Sequence, residues 1–324
     1  MPRILSGLRP TGQLHLGNYC GAIRQFLELQ GSNELFIFVA SYHALTTHHD
    51  AAALRAAIRQ VAIDHVAFGL DVDRVRLYLQ HDVPEVTELA WMLACVCPQH
   101  LADKGVTYKD FQAKGLAANV GIYNYPILQA ADILGVDAEV VPVGRDQVQN
   151  VEICRDLAGM FNHAFGAEVF KLPAYRLSEV AEVLPGVDGQ KMSKSYDNTI
   201  DPFADEKPLR KRVMSIKTDS ASVEAAKDPE ACPVFRIFRA IAGREDARTV
   251  DLAAKYRAGG LGYGTAKQAL FDLILDHFGP ARKRRAELLR DPGAIDAVLA
   301  RGAAAAREVV GAVLGRARRA CGLV

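Results

Sequence analysis

Cysteine is scarce in this sequence: six in 324 residues, at positions 20, 95, 97, 154, 232 and 321, with no C-x-x-C pair. That spacing indicates neither a disulfide framework nor a standard zinc site. No apolar run approaches the roughly 18 residues needed to cross a bilayer, so no membrane association is expected. The opening Met1-Pro2-Arg3-Ile4-Leu5-Ser6-Gly7 reaches arginine and glycine before a signal-peptide core can form, and a cytoplasmic location is expected. Charge of one sign is also lacking, since 39 Lys and Arg against 38 Asp and Glu leave a formal net charge of +1. Neither G-x-G-x-x-G after the first strand nor G-x-x-x-x-G-K-[ST] occurs, so the commonest phosphate loops are missing. Half of the residues are apolar and 24% are charged, which excludes disorder and leaves a globular chain of two-domain length.

The pattern that is present changes character along the chain. Short β-rich runs at 3–5, 35–40, 75–80 and 139–143 alternate with helical windows at 18–30, 51–68, 85–97, 125–134 and 145–165. Strand alternating with helix predicts a parallel sheet covered on both faces. After Pro185-Gly186-Val187-Asp188-Gly189 only Ala-, Arg- and Leu-rich helical windows follow. The expected organisation is an α/β domain over 1–190 and an all-helical domain over 191–324. Between 281 and 324, ten Lys or Arg outnumber four acidic residues. Charge alone favours a solvated helix face there, with nucleic-acid contact as the alternative.

Two loops carry phosphate chemistry. After the first strand comes Ser6-Gly7-Leu8-Arg9-Pro10-Thr11-Gly12-Gln13-Leu14-His15-Leu16-Gly17-Asn18-Tyr19, whose glycines permit a tight turn and close ligand approach. His15 to Asn18 sits where a helix must begin, with Asn18 as the expected N-cap, and a helix start offers free N–H groups to an anion. The second loop, Gln190-Lys191-Met192-Ser193-Lys194-Ser195, places two ammonium groups and two hydroxyls beside Gly186 and Gly189. By itself it also reads as a solvated linker.

Taken together, His-Leu-Gly-Asn at 15–18 and Lys-Met-Ser-Lys-Ser at 191–195 resemble the two signatures of class I aminoacyl-tRNA synthetases. Further segments narrow the resemblance to the tryptophanyl-tRNA synthetase family: Pro10-Thr11-Gly12, His43-Ala44-Leu45-Thr46, Tyr125 to Leu134, Val141 to Gln147, and Arg155-Asp156-Leu157-Ala158. The resemblance runs over essentially the whole chain. It implies a Rossmann-like catalytic domain, a helical anticodon-binding domain and a homodimer. The implied reaction takes L-tryptophan and ATP to tryptophanyl-adenylate and pyrophosphate, then charges tRNA(Trp). Attack comes from the substrate's own carboxylate, so no protein nucleophile is needed; orientation and charge neutralisation supply the catalysis.

By the same resemblance, His15, Lys191 and Lys194 would be catalytic. Arg9, Pro10, Thr11, Gly17, Asn18, Gly144, Arg145, Asp146 and Val183 would hold ATP, joined by Lys191, Met192, Ser193, Lys194 and Ser195. Gly7, His43, Tyr125, Gln129, Asp132, Val141, Val143 and Gln147 would surround the amino acid. Magnesium would arrive on the phosphates of ATP, with no protein metal site. Asp132 interrupts an apolar helical run and would accept the indole N–H; a cap or an arginine partner is the structural alternative. Gln129 stands where many relatives carry Met, and Arg145 where acidic residues are common. Tyrosine–tRNA ligase and a tRNA-independent nucleotidyltransferase acting on a small carboxylic acid are the competing activities.

Other motifs read as structure. His48-His49-Asp50 lacks a further ligand at metal spacing, and Cys95-x-Cys97 is flanked by apolar residues as a core segment would be. Trp91 is expected in the core or at a dimer interface. Some relatives hold an iron–sulfur cluster on four cysteines; here only Cys232 of that set is present, so no cluster is expected.

Overall fold

The computed structural model describes residues 1–10, 12–177 and 183–324. In chain order come β1 (Arg3–Leu8), α1 (Leu16–Asn18), a π-wound turn (Tyr19–Ile23), α2 (Arg24–Leu29), β2 (Glu34–Val39), α3 (Ser41–Ala44), α4 (Ala51–Ala67) and β3 (Arg76–Leu79). Then follow α5 (Glu85–Val96), α6 (Gln99–Ala102), α7 (Val106–Ala113), α8 (Val120–Tyr123), α9 (Tyr125–Gly135), β4 (Val140–Val143), α10 (Val148–Phe165) and β5 (Ala174–Leu177). The remainder is helical: α11 (Glu206–Met214), α12 (Pro233–Ala242), α13 (Ala247–Ala258), α14 (Tyr263–Arg290) and α15 (Pro292–Ala320).

The five strands pair in parallel in the order β3-β2-β1-β4-β5. β2 is buried at five of its six positions, as a strand covered on both faces must be. Alternate residues feed the two faces: Leu35, Ile37 and Val39 join the core that continues into the helical half, while Phe36 and Phe38 join the core beneath α5, α9 and α10. β5 carries no apolar run, because all four of its residues are exposed, and the sequence pattern passes over it.

The break that matters lies between β1 and β4. β1 pairs with β2 from Arg3↔Glu34 to Leu8↔Val39 but meets β4 only at Ile4↔Val140. Beyond that point Pro142 has no N–H to contribute, and the two strands part. Crossovers leave this pair in opposite directions, so the strand ends open a crevice at the switch in strand order.

The C-terminal helix does not extend away from the sheet. α15 lies along β3 and α5, burying Ala303, Ala306, Val310, Val313, Leu314 and Ala317 in the core that holds Phe36 and Leu89. A Cβ on Gly302 would stand 1.9 Å from the Leu77 carbonyl oxygen, so only glycine permits this approach. Gly302→Ala should therefore destabilise the protein by about 1–3 kcal/mol through forced backbone displacement. Gly311→Ala, on the same helix with nothing within 4 Å of the new methyl, should be neutral or stabilising. Urea midpoints of the two variants check this, and equal midpoints would disprove the tight contact.

This packing corrects two expectations and narrows a third. The arginines of α15 are not simply solvated: Arg307 pairs with Glu85 at 2.7 Å, Arg316 with Asp137 at 2.6 Å and Arg318 with Glu88 at 2.5 Å. Trp91 is 72% exposed and so lies outside the core of the single chain. Cys95, one helical turn further on α5, shares that outer face and is exposed, whereas Cys97 is half-buried.

Candidate active site

The parting of β1 from β4 leaves a cavity of about 290 Å³, near the lower end of the size range for small-molecule sites. All eight residues expected around an amino acid, Gly7, His43, Tyr125, Gln129, Asp132, Val141, Val143 and Gln147, lie on its wall. Gly7 is required there, since a Cβ would come within 2.6 Å of the Phe38 ring. Asp132 is buried, and its partners are neither a helix cap nor an arginine. Gln80 Nε2 donates to Oδ1 and Oδ2 at 2.9 and 2.8 Å, and His43 Nε2 lies 2.9 Å from Oδ2. Gln80 is itself held, its Oε1 accepting the Tyr42 N–H at 2.9 Å. A carboxylate accepts about four hydrogen bonds, so one acceptor direction is left, on Oδ1. Tyr125 stacks obliquely on His43 with centroids 4.2 Å apart, and burial keeps its phenol protonated by raising its pKa.

Polar atoms at the far wall are fixed by one buried amide. Asn150 Nδ2 donates to Gln129 Oε1 at 3.0 Å and to Gln147 Oε1 at 3.1 Å. Gln147 Nε2 in turn donates to Asp146 Oδ2 at 3.0 Å. Gly144 begins this turn, where a Cβ would meet Asp146 Oδ1 at 2.8 Å. Arg145 and Asp146 are both exposed beside it. Val183 lies apart from the cavity, its carbonyl accepting from Arg236 at 3.1 Å.

The glycine-rich loop after β1 builds a separate polar surface. Gly12 adopts φ +94°, a left-handed conformation suited to glycine. His15, and not Asn18, caps α1: the Gly17 N–H donates to His15 Nδ1 at 3.1 Å, while Asn18 Oδ1 accepts the His15 N–H at 3.1 Å. Asn18 falls at the third helical position because the turn starts three residues earlier than its side-chain type suggests. With Nδ1 accepting, the imidazole proton sits on Nε2 and is available to a ligand. Burial, reinforced by Lys194, lowers the His15 pKa to about 4, so the ring is a neutral donor at physiological pH. Arg9 reaches the cavity wall, with Nη2 donating to Thr47 Oγ1 at 2.7 Å, and Pro10 is buried. Thr11 lies outside the described residues.

The 191–195 loop closes onto this surface. Lys194 Nζ is 3.8 Å from where a Gly12 Cβ would be, and Met192 Cβ is 3.6 Å from that of Gly17. Met192 is buried as the loop's anchor, whereas Lys191 and Ser195 are exposed. Ser193 Oγ accepts the Ser195 N–H at 3.3 Å. Asn198 staples the loop: Oδ1 accepts the Ser193 N–H at 2.7 Å, and Nδ2 donates to the Lys191 carbonyl at 3.0 Å and to Asp188 at 2.8 Å. Burial lowers the Lys194 pKa, while Asp64 and Asp201 act in the opposite direction.

Histidine burial sets an acid limit on stability. His15 and His65 are held near a pKa of about 4 by desolvation, and His277 is lowered too, against about 6.5 in an unfolded chain. A lowered pKa means the unfolded chain binds more protons, so stability is complete above pH 6.5 and falls as the pH drops toward 4. Urea midpoints should thus decline steadily between pH 7 and pH 4.5. A flat profile would show that these rings are not buried neutral.

The class I tRNA synthetases for W and Y match this chain over residues 1–279. The tryptophan–tRNA ligase of Rhodopirellula baltica is 49% identical over 99% of this chain and 99% of its own length. The chain belongs to the tryptophanyl-tRNA synthetase family. The family's enzyme from Fusobacterium nucleatum is 43% identical over 100% of this chain and 99% of its own. The tryptophanyl-tRNA synthetase of Campylobacter jejuni, solved with ADP and tryptophan, superposes with a TM-score of 0.90 at 42% identity, covering 99% of each chain. The tyrosyl-tRNA synthetase of Aeropyrum pernix, at 21% identity and a TM-score of 0.68, shares the fold.

Three positioning residues, Gln80, Asn150 and Asn198, and one further buried carboxylate, Asp64, escaped the sequence reading of this family member. Each is a polar side chain that is almost fully buried, and Asp64 and Asn150 interrupt otherwise apolar helix faces. That interruption was the available signal, the same one that marks Asp132. Within His48-His49-Asp50, Asp50 caps α4 by accepting the Ala52 and Ala53 N–H groups at 2.9 Å. Among the described residues no group of three or more His, Cys, Asp or Glu could hold a metal ion. Cys232 is buried with its sulfur 3.3 Å from the Tyr256 hydroxyl.

Proposed function

We propose that this protein activates L-tryptophan with ATP and transfers it to tRNA(Trp). The observation that carries the reading is the free acceptor direction on buried Asp132 Oδ1, on the wall of a cavity that Phe26, Phe38, Tyr125, Val141 and Val143 also line. The indole N–H is the one polar handle of the tryptophan side chain, and a carboxylate is its natural partner. Gln80 and His43 orient Asp132 before the substrate arrives. The tryptophan carboxylate attacks the α-phosphorus of ATP, forming the acyl–phosphate bond while the bond to pyrophosphate breaks. His15 Nε2–H donates to the phosphates as a neutral group, and Lys191 and Lys194 meet the charge that develops on the departing pyrophosphate. Arg9, Pro10, Thr11, Gly17, Asn18, Met192, Ser193 and Ser195 frame the triphosphate, with Gly144, Arg145, Asp146 and Val183 on the adenosine side. Magnesium enters as part of the ATP substrate.

The terminal ribose of tRNA then takes the acyl group, and the helical half supplies the anticodon contacts. We read the enzyme as a cytoplasmic homodimer, with Trp91 and Cys95 on the exposed face of α5 as part of the subunit contact. ATP–pyrophosphate exchange with each of the twenty amino acids tests the reading. Exchange driven by tryptophan alone, followed by charging of tRNA(Trp), supports it. Exchange with tyrosine alone, or with no amino acid, overturns it.

The arginines of α15 bear on tRNA binding. Arg316 and Arg318 are already neutralised by Asp137 and Glu88, so releasing them to a phosphate would break an existing ion pair. Arg316→Gln with Arg318→Gln should leave the slope of log affinity against log salt unchanged, where loss of two phosphate contacts would change it by about 1.8. A slope reduced by that amount in a folded double variant would assign them to the tRNA after all.

A further inference from the structure

One buried carboxylate has no place in the chemistry above. Asp64, in the last turn of α4, is 0% exposed. Its Oδ1 accepts from Arg285 Nε at 2.8 Å and from Gln60 Nε2 at 2.7 Å, and the nearby Leu14 N–H also favours the charged form of the carboxylate. Its Oδ2 is buried and makes no hydrogen bond among the described residues. A half-satisfied buried carboxylate is costly, and an apolar residue would fill the site more cheaply. Such violations concentrate where a function requires them.

The surroundings indicate which function. Leu14 immediately precedes His15, and Gln13 donates to Asp201 Oδ2 at 2.5 Å. The Leu16 N–H donates to the Ile200 carbonyl at 2.9 Å, so the glycine-rich loop is clamped between α4 and the segment leaving the 191–195 loop. Arg285 on α14 stacks over Phe203 at 4.9 Å, and its neighbour Arg282 donates to the Pro202 and Ala204 carbonyls at 2.6 and 2.8 Å. Asp64 thus stands where the glycine-rich loop, the end of the lysine loop and the long helix α14 converge. Asp64 and Asp201 are also the two negative charges that favour the ammonium form of half-buried Lys194.

We propose that Asp64 is a positioning residue for amino-acid activation, its buried carboxylate acting through the clamped loop and its own charge to hold the Lys194 ammonium over Gly12. Burial raises the Asp64 pKa; Arg285 opposes that rise and joins the carboxylate to the helical half of the molecule. The inference rests on the assignment of Lys194 to the departing pyrophosphate.

The competing view is that Asp64 serves only as the partner of Arg285, and substitutions at both positions separate the two. Asp64→Asn leaves an acceptor for Gln60 but removes the charge. The double substitution Asp64→Asn with Arg285→Gln replaces the ion pair by two neutral amides and removes the unpaired charge that either single variant leaves. Urea midpoints, tryptophan affinity without ATP, and ATP–pyrophosphate exchange are measured for each. The expected result is a double variant with a restored midpoint, tryptophan affinity within about twofold of the parent, and exchange kcat still reduced about tenfold to a hundredfold, as for a displaced catalytic group. Exchange restored together with the midpoint would overturn the proposal, as would parental exchange in Asp64→Asn. A double variant that stays unstable while Gln60→Ala, which removes one Asp64 contact, retains parental exchange would overturn it too. Lys194→Ala is run alongside: if that substitution is silent, the assignment of the lysine loop fails, whereas an impaired Lys194→Ala beside a normal Asp64→Asn defeats only the present inference.

Discussion

Lys194→Ala is expected to slow formation of the adenylate by about a hundredfold to a thousandfold, the cost of removing one preorganised charge from a developing anion. Tryptophan binding in the absence of ATP should be nearly unchanged, because Lys194 lies over Gly12 on the phosphate surface and not on the wall of the amino-acid cavity. Single-turnover formation of tryptophanyl-adenylate, set beside equilibrium tryptophan binding, separates the two. An equal loss in both would move Lys194 from the chemistry to the folding of its loop. The same experiment on Lys191→Ala compares an exposed lysine with a half-buried one, and the larger effect belongs to Lys194.

Asp132→Ala should be nearly as damaging, and for a different reason. It removes the indole acceptor and also strands the Gln80 amide and the His43 imidazole, both buried and both directed at the missing carboxylate. Each orphaned donor costs about 1–3 kcal/mol, so tryptophan affinity should fall by about a hundredfold or more. Asp132→Asn keeps the shape but turns an amide N–H toward a donor, and should lose selectivity for tryptophan over phenylalanine by about one to three kcal/mol. Retained affinity and selectivity in both variants would remove Asp132 from recognition. Gln80→Leu is the complementary variant: it leaves the acceptor in place but unaligned, and its effect should be smaller.

The sequence determined a good deal about this protein. Alternating apolar runs and helical windows give the parallel sheet and its helices, because both periodicities are local consequences of backbone geometry. The glycine-rich turn, the Lys-Met-Ser-Lys-Ser loop and the lone carboxylate in an apolar helix were legible as well, since each is a short-range departure from what a core tolerates. The short edge strand β5 was not legible, having no buried face to imprint a pattern. Nor was the capping of α1 by His15, three residues before the expected cap at Asn18.

Tertiary structure alone decided everything that joins distant positions. That Gln80 and His43 meet Asp132, that Asn150 holds two glutamines at once, and that Asp64 draws Arg285 across 221 residues of chain follow from packing. The cavity exists because one pair of strands separates after Ile4↔Val140, a register property that no single segment encodes. The fate of the basic C-terminal helix was settled in the same way. Its composition favours a solvated face, with nucleic-acid contact as the alternative, and only the closeness of Gly302 to Leu77, with the carboxylates of α5 brought alongside, pairs Arg307 and Arg318 within the fold.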